Sequence, residues 1–242
     1  MTEPRGRRRR GARRRPPQRS VTVGDVIRGT VRLFGELLIT AGVVMLFFAA
    51  YQIYGKQLET NREQEQLVQA FEEGSGDGGE ADTTEAEALP GEAHSRMYVP
   101  SLDQDWVVVE GVSQADIEYG PGHYPGSADP GEEGNYAVAG HRVPAVFWDL
   151  DQLASGDEIV LEDEDSFYTY EVTQNHVVMP DQTDVVEANP DDPGAEPDRA
   201  LVTLTTCHPK FSNAERLIVH AELAEEHDKS DGVPASIESM VD

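Results

Sequence analysis

Cysteine is almost absent from this sequence. Cys207 is the only one in 242 residues, so no disulfide can form within the chain. The sequence also lacks a glycine-rich phosphate loop, paired Cys/His ligands at metal-site spacing, and internal repeats. We therefore expect no cofactor and no metal. A single cysteine in a protein exposed outside the cell is either an intermolecular link or a free reactive thiol, so Cys207 is the first candidate for chemistry.

Basic residues are scarce in most of the chain. The greater part of the 19 Lys and Arg residues precedes residue 33, whereas nearly all of the 46 acidic residues follow residue 54. The net charge of −27 thus combines a basic beginning with a strongly acidic remainder, which indicates two environments. The arginines suit anionic lipid at a membrane surface, and we expect no nucleic acid partner.

A long apolar run separates the two parts. Residues 33–54 contain one charged residue, Glu36, and a helix of that length spans about 33 Å, close to the ~30 Å of bilayer hydrocarbon. The arginines precede this run, so we expect a single-pass protein of the cell membrane with a cytoplasmic N-terminus. A cleaved signal peptide is the alternative, because the uncharged core, 37–51, is short. No clear small-x-small cleavage site follows it, which favours an uncleaved anchor.

Composition predicts five segments. They are a basic disordered cytoplasmic segment (1–32), a transmembrane helix (33–54), an extracytoplasmic stalk and acidic linker (55–95), a globular domain (96–225) and a polar C-terminal tail (226–242).

The globular domain is predicted to be all-β. Its apolar runs are short, rich in Val, Tyr, Phe and Thr, and separated by Gly/Pro/Asp-rich turns, as in a closed or sandwiched β-domain. Only residues 145–153 favour a short helix. The predicted strands are 106–111, 136–140, 157–162, 167–178, 200–207 and 216–223.

Cys207 ends a predicted strand, which is a suitable place to present a nucleophile. Arg216 begins the next strand, so an antiparallel pair would return it beside Cys207, where a guanidinium would stabilise a thiolate or a substrate carbonyl. His141 follows an apolar strand and is the best general acid by position. His208 adjoins Cys207 but points to the opposite face, and His220 lies inside a strand.

Each of these residues also has a structural interpretation. Cys207 could be a small buried hydrophobe, Arg216 an ion-paired surface residue and His141 a turn histidine. The acidic stretch 180–198 could bind calcium, but its carboxylates do not follow EF-hand spacing, and a solvated loop is favoured.

Three motifs resemble those of one family. TLTTC at 203–207 resembles the TLxTC signature of sortases, the membrane-anchored cysteine transpeptidases of Gram-positive bacteria, and AGHR at 139–142 resembles their histidine motif. Arg216 falls where the sortase arginine does. The phrase TCHPKFSNAERLIVHAEL, with GPGHYPGSA upstream, is most similar to class E sortases of actinobacteria.

The resemblance implies a closed eight-stranded β-barrel with one or two short helices, preceded by the transmembrane helix. It implies that Cys207 attacks a Thr–Gly bond, that His141 exchanges protons with the leaving and incoming amines, and that Arg216 binds the oxyanion. Tyr124 is a weaker candidate substrate contact, and Thr206 is expected to shape the substrate pocket.

The implied function is the anchoring of surface proteins to the cell wall. The substrates are secreted proteins with a C-terminal Leu-Ala-x-Thr-Gly or Leu-Pro-x-Thr-Gly signal, and the acceptor is an amine of a peptidoglycan precursor or cross-bridge. A pilin-polymerising sortase, a thiol hydrolase that uses water, and a non-catalytic ectodomain that only binds remain alternatives.

Overall fold

The computed structural model of the chain describes residues 23–74 and 91–241. The predicted segment 1–32 therefore lies mostly outside the described residues, as does most of the predicted acidic linker. The chain forms two compact units, one within the first 52 residues and one from Ile53 onward. The first helix, α1, runs Val23–Gly74 and belongs to both.

The first part of α1 is long and apolar enough to span a membrane. Val26–Ala49 is 24 residues with a mean hydropathy of 1.9, and its side chains are not buried in the protein. Its polar groups are satisfied within the helix: Arg32 Nε donates to Glu36 Oε1 at 3.0 Å, and the Thr40 hydroxyl donates to the Glu36 carbonyl at 2.8 Å. This pairing lowers the cost of polar groups in an apolar span. The span begins earlier than the predicted 33–54.

Eight strands follow the helix. Their bounds are β1 Ala93–Val99, β2 Gln104–Glu110, β3 Gly122–His123, β4 Gly134–Ala139, β5 Glu158–Glu162, β6 Ser166–Val178, β7 Ala200–His208 and β8 Glu215–Asp228. They close into a barrel in the order β1-β2-β3-β4-β7-β8-β6-β5. The β2–β3 and β4–β7 pairs are parallel and the others antiparallel. The closed eight-stranded barrel confirms the predicted fold and decides against an open sandwich.

Alternate side chains along the strands fill the barrel. On β7, Val202 and Leu204 are fully buried and belong to the main core cluster, as does Val138 of β4. On β8, the side chains of Leu217, Val219 and Ala221 are also buried in this cluster. This period-two pattern is the one that predicted the strands.

The predicted helix at 145–153 is wrong. Only Leu150–Gln152 is helical, as one 3₁₀ turn, and the preceding residues form turns. Val146, Phe147 and Leu150 are fully buried and fill the core at this end of the barrel. Their spacing is helix-like because they share one buried side, but short turn bonds such as Val146 N–H to the Val143 carbonyl at 3.0 Å replace the α-helical ladder.

The C-terminal segment is less independent than predicted. β8 continues to Asp228, past the expected domain end at residue 225. Ile237 is fully buried against Tyr98, Val160 and Phe167. The residues that follow β8 therefore pack on the barrel through one apolar side chain, Ile237, within the predicted polar tail.

Candidate active site

The ends of β4 and β7 lie side by side. In the parallel pairing Ala139 is level with Thr205, and the Gly140 N–H donates to the Thr205 carbonyl at 3.1 Å. His141 follows directly, so the pairing carries it to the level at which β7 reaches Cys207. Residues 66 positions apart in sequence are thus brought to one end of the barrel by strand register.

Thr206 ties these two strand ends together. Its side chain is 2% exposed, and its hydroxyl donates to the Gly140 carbonyl at 2.8 Å. Thr206 therefore holds the residue that precedes His141. Its expected role as a substrate-binding residue that shapes the pocket stays a prediction.

Cys207 and Arg216 are opposite each other on β7 and β8. They form a register pair in the antiparallel ladder, and both are half-buried. Side chains of directly opposite residues lie on the same face of a sheet with their Cβ atoms about 5 Å apart. Arg216 Nη1 donates to the carbonyls of Asn213 and Glu215 at 3.1 and 2.9 Å, so the loop between the strands fixes part of the guanidinium.

His141 lies in a tight turn after Gly140. The His141 carbonyl accepts a hydrogen bond from the Phe147 N–H at 3.1 Å, which closes the turn. A Cβ at Gly140 would stand 2.6 Å from Phe147 Cδ2, so only glycine fits between the two strand ends and the core. Close packing against Phe147 therefore explains why the AGHR motif has a glycine at this position.

Arg142 is a residue of this region to which the sequence analysis gave no role. Its side chain is 2% exposed and pairs with Asp151 Oδ1 at 2.7 Å. Arg142 Nη1 donates to His208 Nδ1 at 3.1 Å and lies 3.5 Å from the Cys207 carbonyl oxygen. Arg142 thus links the His141 turn to the end of β7, and its place beside His141 in AGHR was the available signal.

Tyr124 lies near Arg216. Its N–H donates to the Ala137 carbonyl at 2.9 Å, which continues the β3–β4 pairing. Burial raises the pKa of the Tyr124 phenol, and the positive charge of Arg216 opposes that rise. The phenol is therefore neutral at physiological pH and interacts electrostatically with the guanidinium.

The other sequence candidates are engaged elsewhere. His208 accepts from Arg142, and His220 Nδ1 is 2.8 Å from the Thr203 hydroxyl inside the barrel wall. In the acidic stretch 180–198, Asp191 pairs with Arg199 at 2.7 Å. Among the described residues, this stretch contains no group of three His, Cys, Asp or Glu side chains close enough to hold a metal.

A family model for the sortase domain matches residues 97–224, which include every residue of the site described above. The chain belongs to the sortase family. Sortases are cysteine transpeptidases, and the predicted family and enzyme class are confirmed.

Curated relatives support the resemblance to class E. Sortase SrtE1 of Streptomyces coelicolor is 29% identical over 96% of this chain and 66% of its own length. SrtE2 of the same organism is 30% identical over 87% of this chain and 86% of its own length.

Solved sortase structures share the barrel. A structure of sortase E1 from Streptomyces coelicolor with a tripeptide in the active site is 30% identical, with a TM-score of 0.57 over 62% of this chain and 98% of that one. SrtF from Corynebacterium diphtheriae is 35% identical, with a TM-score of 0.59 over 66% of this chain and 99% of that one.

Proposed function

We propose that this sortase cleaves the Thr–Gly bond of a sorting signal through a thioester on Cys207 and transfers the acyl group to a peptidoglycan amine. The observation that carries the proposal is the meeting of three elements at one barrel end. Cys207 and Arg216 are register partners, and the Thr206 hydroxyl bonds to the residue before His141. Surface proteins would be anchored to the cell wall by this reaction.

The chemistry assigns one role to each side chain. The Cys207 sulfur attacks the threonine carbonyl carbon, and the carbonyl oxygen becomes an oxyanion beside the Arg216 guanidinium. When the C–N bond breaks, His141 gives a proton to the departing glycine amine. In the second step His141 takes a proton from the incoming amine, which attacks the thioester and releases Cys207.

The tight anchoring of Arg216 supports its electrostatic role. The carbonyls of Asn213 in the loop and Glu215 at the start of β8 hold Nη1, so the guanidinium is oriented before a substrate binds. Preorganised charge needs no rearrangement during the reaction. Tyr124, close to the same guanidinium, is the proposed substrate contact on the β3 side.

The substrate class follows from the similarity to class E sortases. We propose a Leu-Ala-x-Thr-Gly signal, with Leu-Pro-x-Thr-Gly as the second choice, at the C-terminus of secreted proteins. The apolar span Val26–Ala49 would anchor the enzyme in the cell membrane. The arginines that precede it favour a cytoplasmic N-terminus and an extracytoplasmic barrel.

The test is a transpeptidation assay on the full chain in detergent micelles. The peptide carries Leu-Ala-x-Thr-Gly, and products are identified by mass spectrometry with and without an added amine. The proposal expects an amide product that requires both the amine and Cys207. Equal release of glycine without the amine would indicate the thiol hydrolase instead.

Matched variants separate the site from the rest of the chain. Arg216→Ala should lower kcat by about 100-fold or more, the usual cost of losing an oxyanion donor. Arg199→Ala removes an arginine that is paired with Asp191 and Glu222 and directly precedes β7, at the end of that strand away from Cys207. It should leave kcat within about twofold, as expected for an exposed ion pair. No product from either signal, with native Cys207 resistant to alkylation, would indicate the non-catalytic binding domain. A product only with a lysine of a protein subunit would indicate the pilin-polymerising alternative.

A further inference from the structure

Four metal-ligating side chains meet on the β1–β3 side of the barrel. His94 is on β1, Glu110 ends β2, His123 is on β3, and Asp129 lies in the connection between β3 and β4. We call them the His94 cluster. One ring nitrogen of His94, one of His123 and a carboxylate oxygen of Asp129 lie within 4.8 Å of one another.

The separations in the cluster approach those of a four-coordinate site. His94 Nε2 is 3.2 Å from Asp129 Oδ1 and 3.7 Å from Glu110 Oε2. His123 Nδ1 is 2.7 Å from the same Glu110 oxygen. Ligands about 2.0–2.1 Å from a tetrahedral zinc ion stand roughly 3.3 Å apart, so small side-chain movements complete the site.

The surroundings orient His123 as a ligand. Its side chain is 3% exposed, and its ring stacks on Tyr136 with centroids 4.6 Å apart and an interplanar angle of 16°. Its other nitrogen, Nε2, is 3.2 Å from the Ala128 carbonyl oxygen and 2.7 Å from the Ser127 hydroxyl. A metal-bound imidazole usually donates its second N–H to such an oxygen, which fixes the ring.

His94 is incompletely satisfied by protein groups. Its Nδ1 is buried and has no hydrogen-bond partner among the described residues, while Nε2 faces the two carboxylates. The two carboxylates remain accessible, because the side chains of Glu110 and Asp129 are 41% and 63% exposed. An ion can therefore enter from the surface and meet two imidazoles beneath.

We propose that the His94 cluster is a structural binding site for a divalent transition metal, with zinc as the favoured ion. Two imidazoles and two carboxylates suit zinc, whereas calcium prefers oxygen ligands alone. This site could not be predicted from the sequence, because the two histidines are far apart and no local ligand spacing links them.

The site would strengthen one of the two shortest strand pairings of the barrel. β3 has two residues and pairs with β2 only at Val109–Gly122 and Glu110–His123. A metal held by His94, Glu110 and His123 joins β1, β2 and β3 at this place, and Asp129 adds the connection that follows Tyr124. The proposal concerns stability and is independent of the transpeptidase assignment.

The test uses the untagged full chain with Cys207→Ala, so that the active-site thiol cannot bind the metal. After removal of metal with a chelator, the protein in micelles is titrated with zinc by calorimetry and with cobalt by visible absorption. We expect one equivalent per chain, four-coordinate cobalt bands, and a rise in Tm of about 5 °C at saturating zinc. Calcium should produce no shift.

Substitutions locate the ion. Asp129→Asn, at an exposed position, should keep the metal-free Tm and lower zinc affinity about 100-fold, and His94→Ala should lower it at least as much. His227→Ala, a histidine outside the cluster, should change the affinity less than about twofold. No zinc binding, binding that survives both cluster substitutions, or an equal response to calcium would overturn the proposal.

Discussion

At the residue scale, one buried hydroxyl holds the end of β4 against β7. The Thr206 hydroxyl donates to the Gly140 carbonyl at 2.8 Å, directly before His141. Thr206→Val leaves that carbonyl buried without its donor, which costs about 1–3 kcal/mol in the free energy of unfolding. We also expect kcat/KM to fall about 10-fold, because the His141 turn is no longer held in place.

Thr206→Ser is the matched control, since it keeps the hydroxyl and loses only a methyl group. It should restore most of the activity and part of the stability, measured by urea unfolding and by the peptide assay. Equal activity of the valine and wild-type enzymes would contradict the positioning role of Thr206.

A second residue-scale prediction concerns acid stability. Two effects lower the pKa of His220 from its ordinary 6.5 to about 4: mainly its burial, and to a smaller extent the positive charge of His176. The unfolded chain therefore takes up a proton at His220 before the folded chain does. The stabilising effect is present above about pH 6.5 and is lost as the pH falls towards 4, by about 2–3 kcal/mol. His176, whose pKa burial also lowers, adds to the loss.

The predicted loss of stability is tested by measuring the free energy of unfolding in urea from pH 7.5 to 4. His220→Gln should flatten the decline. A decline as steep in His220→Gln as in the wild type would exclude His220 as its source.

At the element scale, a glutamine of α1 completes the edge of β2. Gln64 Oε1 accepts from the Val107 N–H at 2.9 Å, and Gln64 Nε2 donates to the Tyr119 carbonyl at 3.1 Å. β3 is too short to pair with β2 here, so Gln64 satisfies backbone groups that a longer strand would. The amide passes so close to Gly120 that a Cβ there would overlap it.

Two substitutions should therefore act on one interaction. Gln64→Ala and Gly120→Ala should each lower the free energy of unfolding by about 1–2 kcal/mol, and the double variant should lose little more than either alone. Gln69→Ala, an exposed glutamine on the same helix, should change stability by less than about 0.5 kcal/mol. Full additivity of the two substitutions in urea unfolding would contradict this contact.

Elements with regular patterns were predictable from sequence, and irregular ones were not. β6 and β8 contain runs that alternate at period two, and β7 is an apolar run rich in Val, Leu and Thr; all three were predicted, although β8 extends further than expected. β3 was missed because two residues carry no period, and β1 was missed as well. The segment 145–153 was misread because its apolar side chains are buried by the barrel end and not by a helix of their own.

The residues of the candidate site also divide into those that the sequence could predict and those that it could not. Cys207, His141 and Arg216 could be proposed from the sequence because each belongs to a local motif or a strand end, and their catalytic roles stay predictions. Arg142 and the His94 cluster were not recognised as sites, since their contacts join strands that are distant in sequence.

At the scale of the whole molecule, the uneven charge distribution predicts the topology. The arginines precede the apolar span and the acidic residues follow it, so the N-terminus should be cytoplasmic. With the only natural cysteine replaced by Cys207→Ala, a new cysteine reports the side of the membrane on which it lies. Ser230→Cys, an exposed position after β8, should react with an impermeant maleimide in intact cells, and Ser20→Cys only after permeabilisation. The reverse pattern would contradict the orientation.

The central claim is that Cys207 carries the acyl group of the cleaved signal. It is tested most directly by the intact mass of the full chain, quenched in acid soon after mixing with a Leu-Ala-x-Thr-Gly peptide and no amine. The account predicts a mass increase equal to the peptide up to its threonine, located on Cys207, removed by an added amine and absent from Cys207→Ala. Peptide cleavage that proceeds at the wild-type rate in Cys207→Ala, or an adduct on another residue, would contradict it.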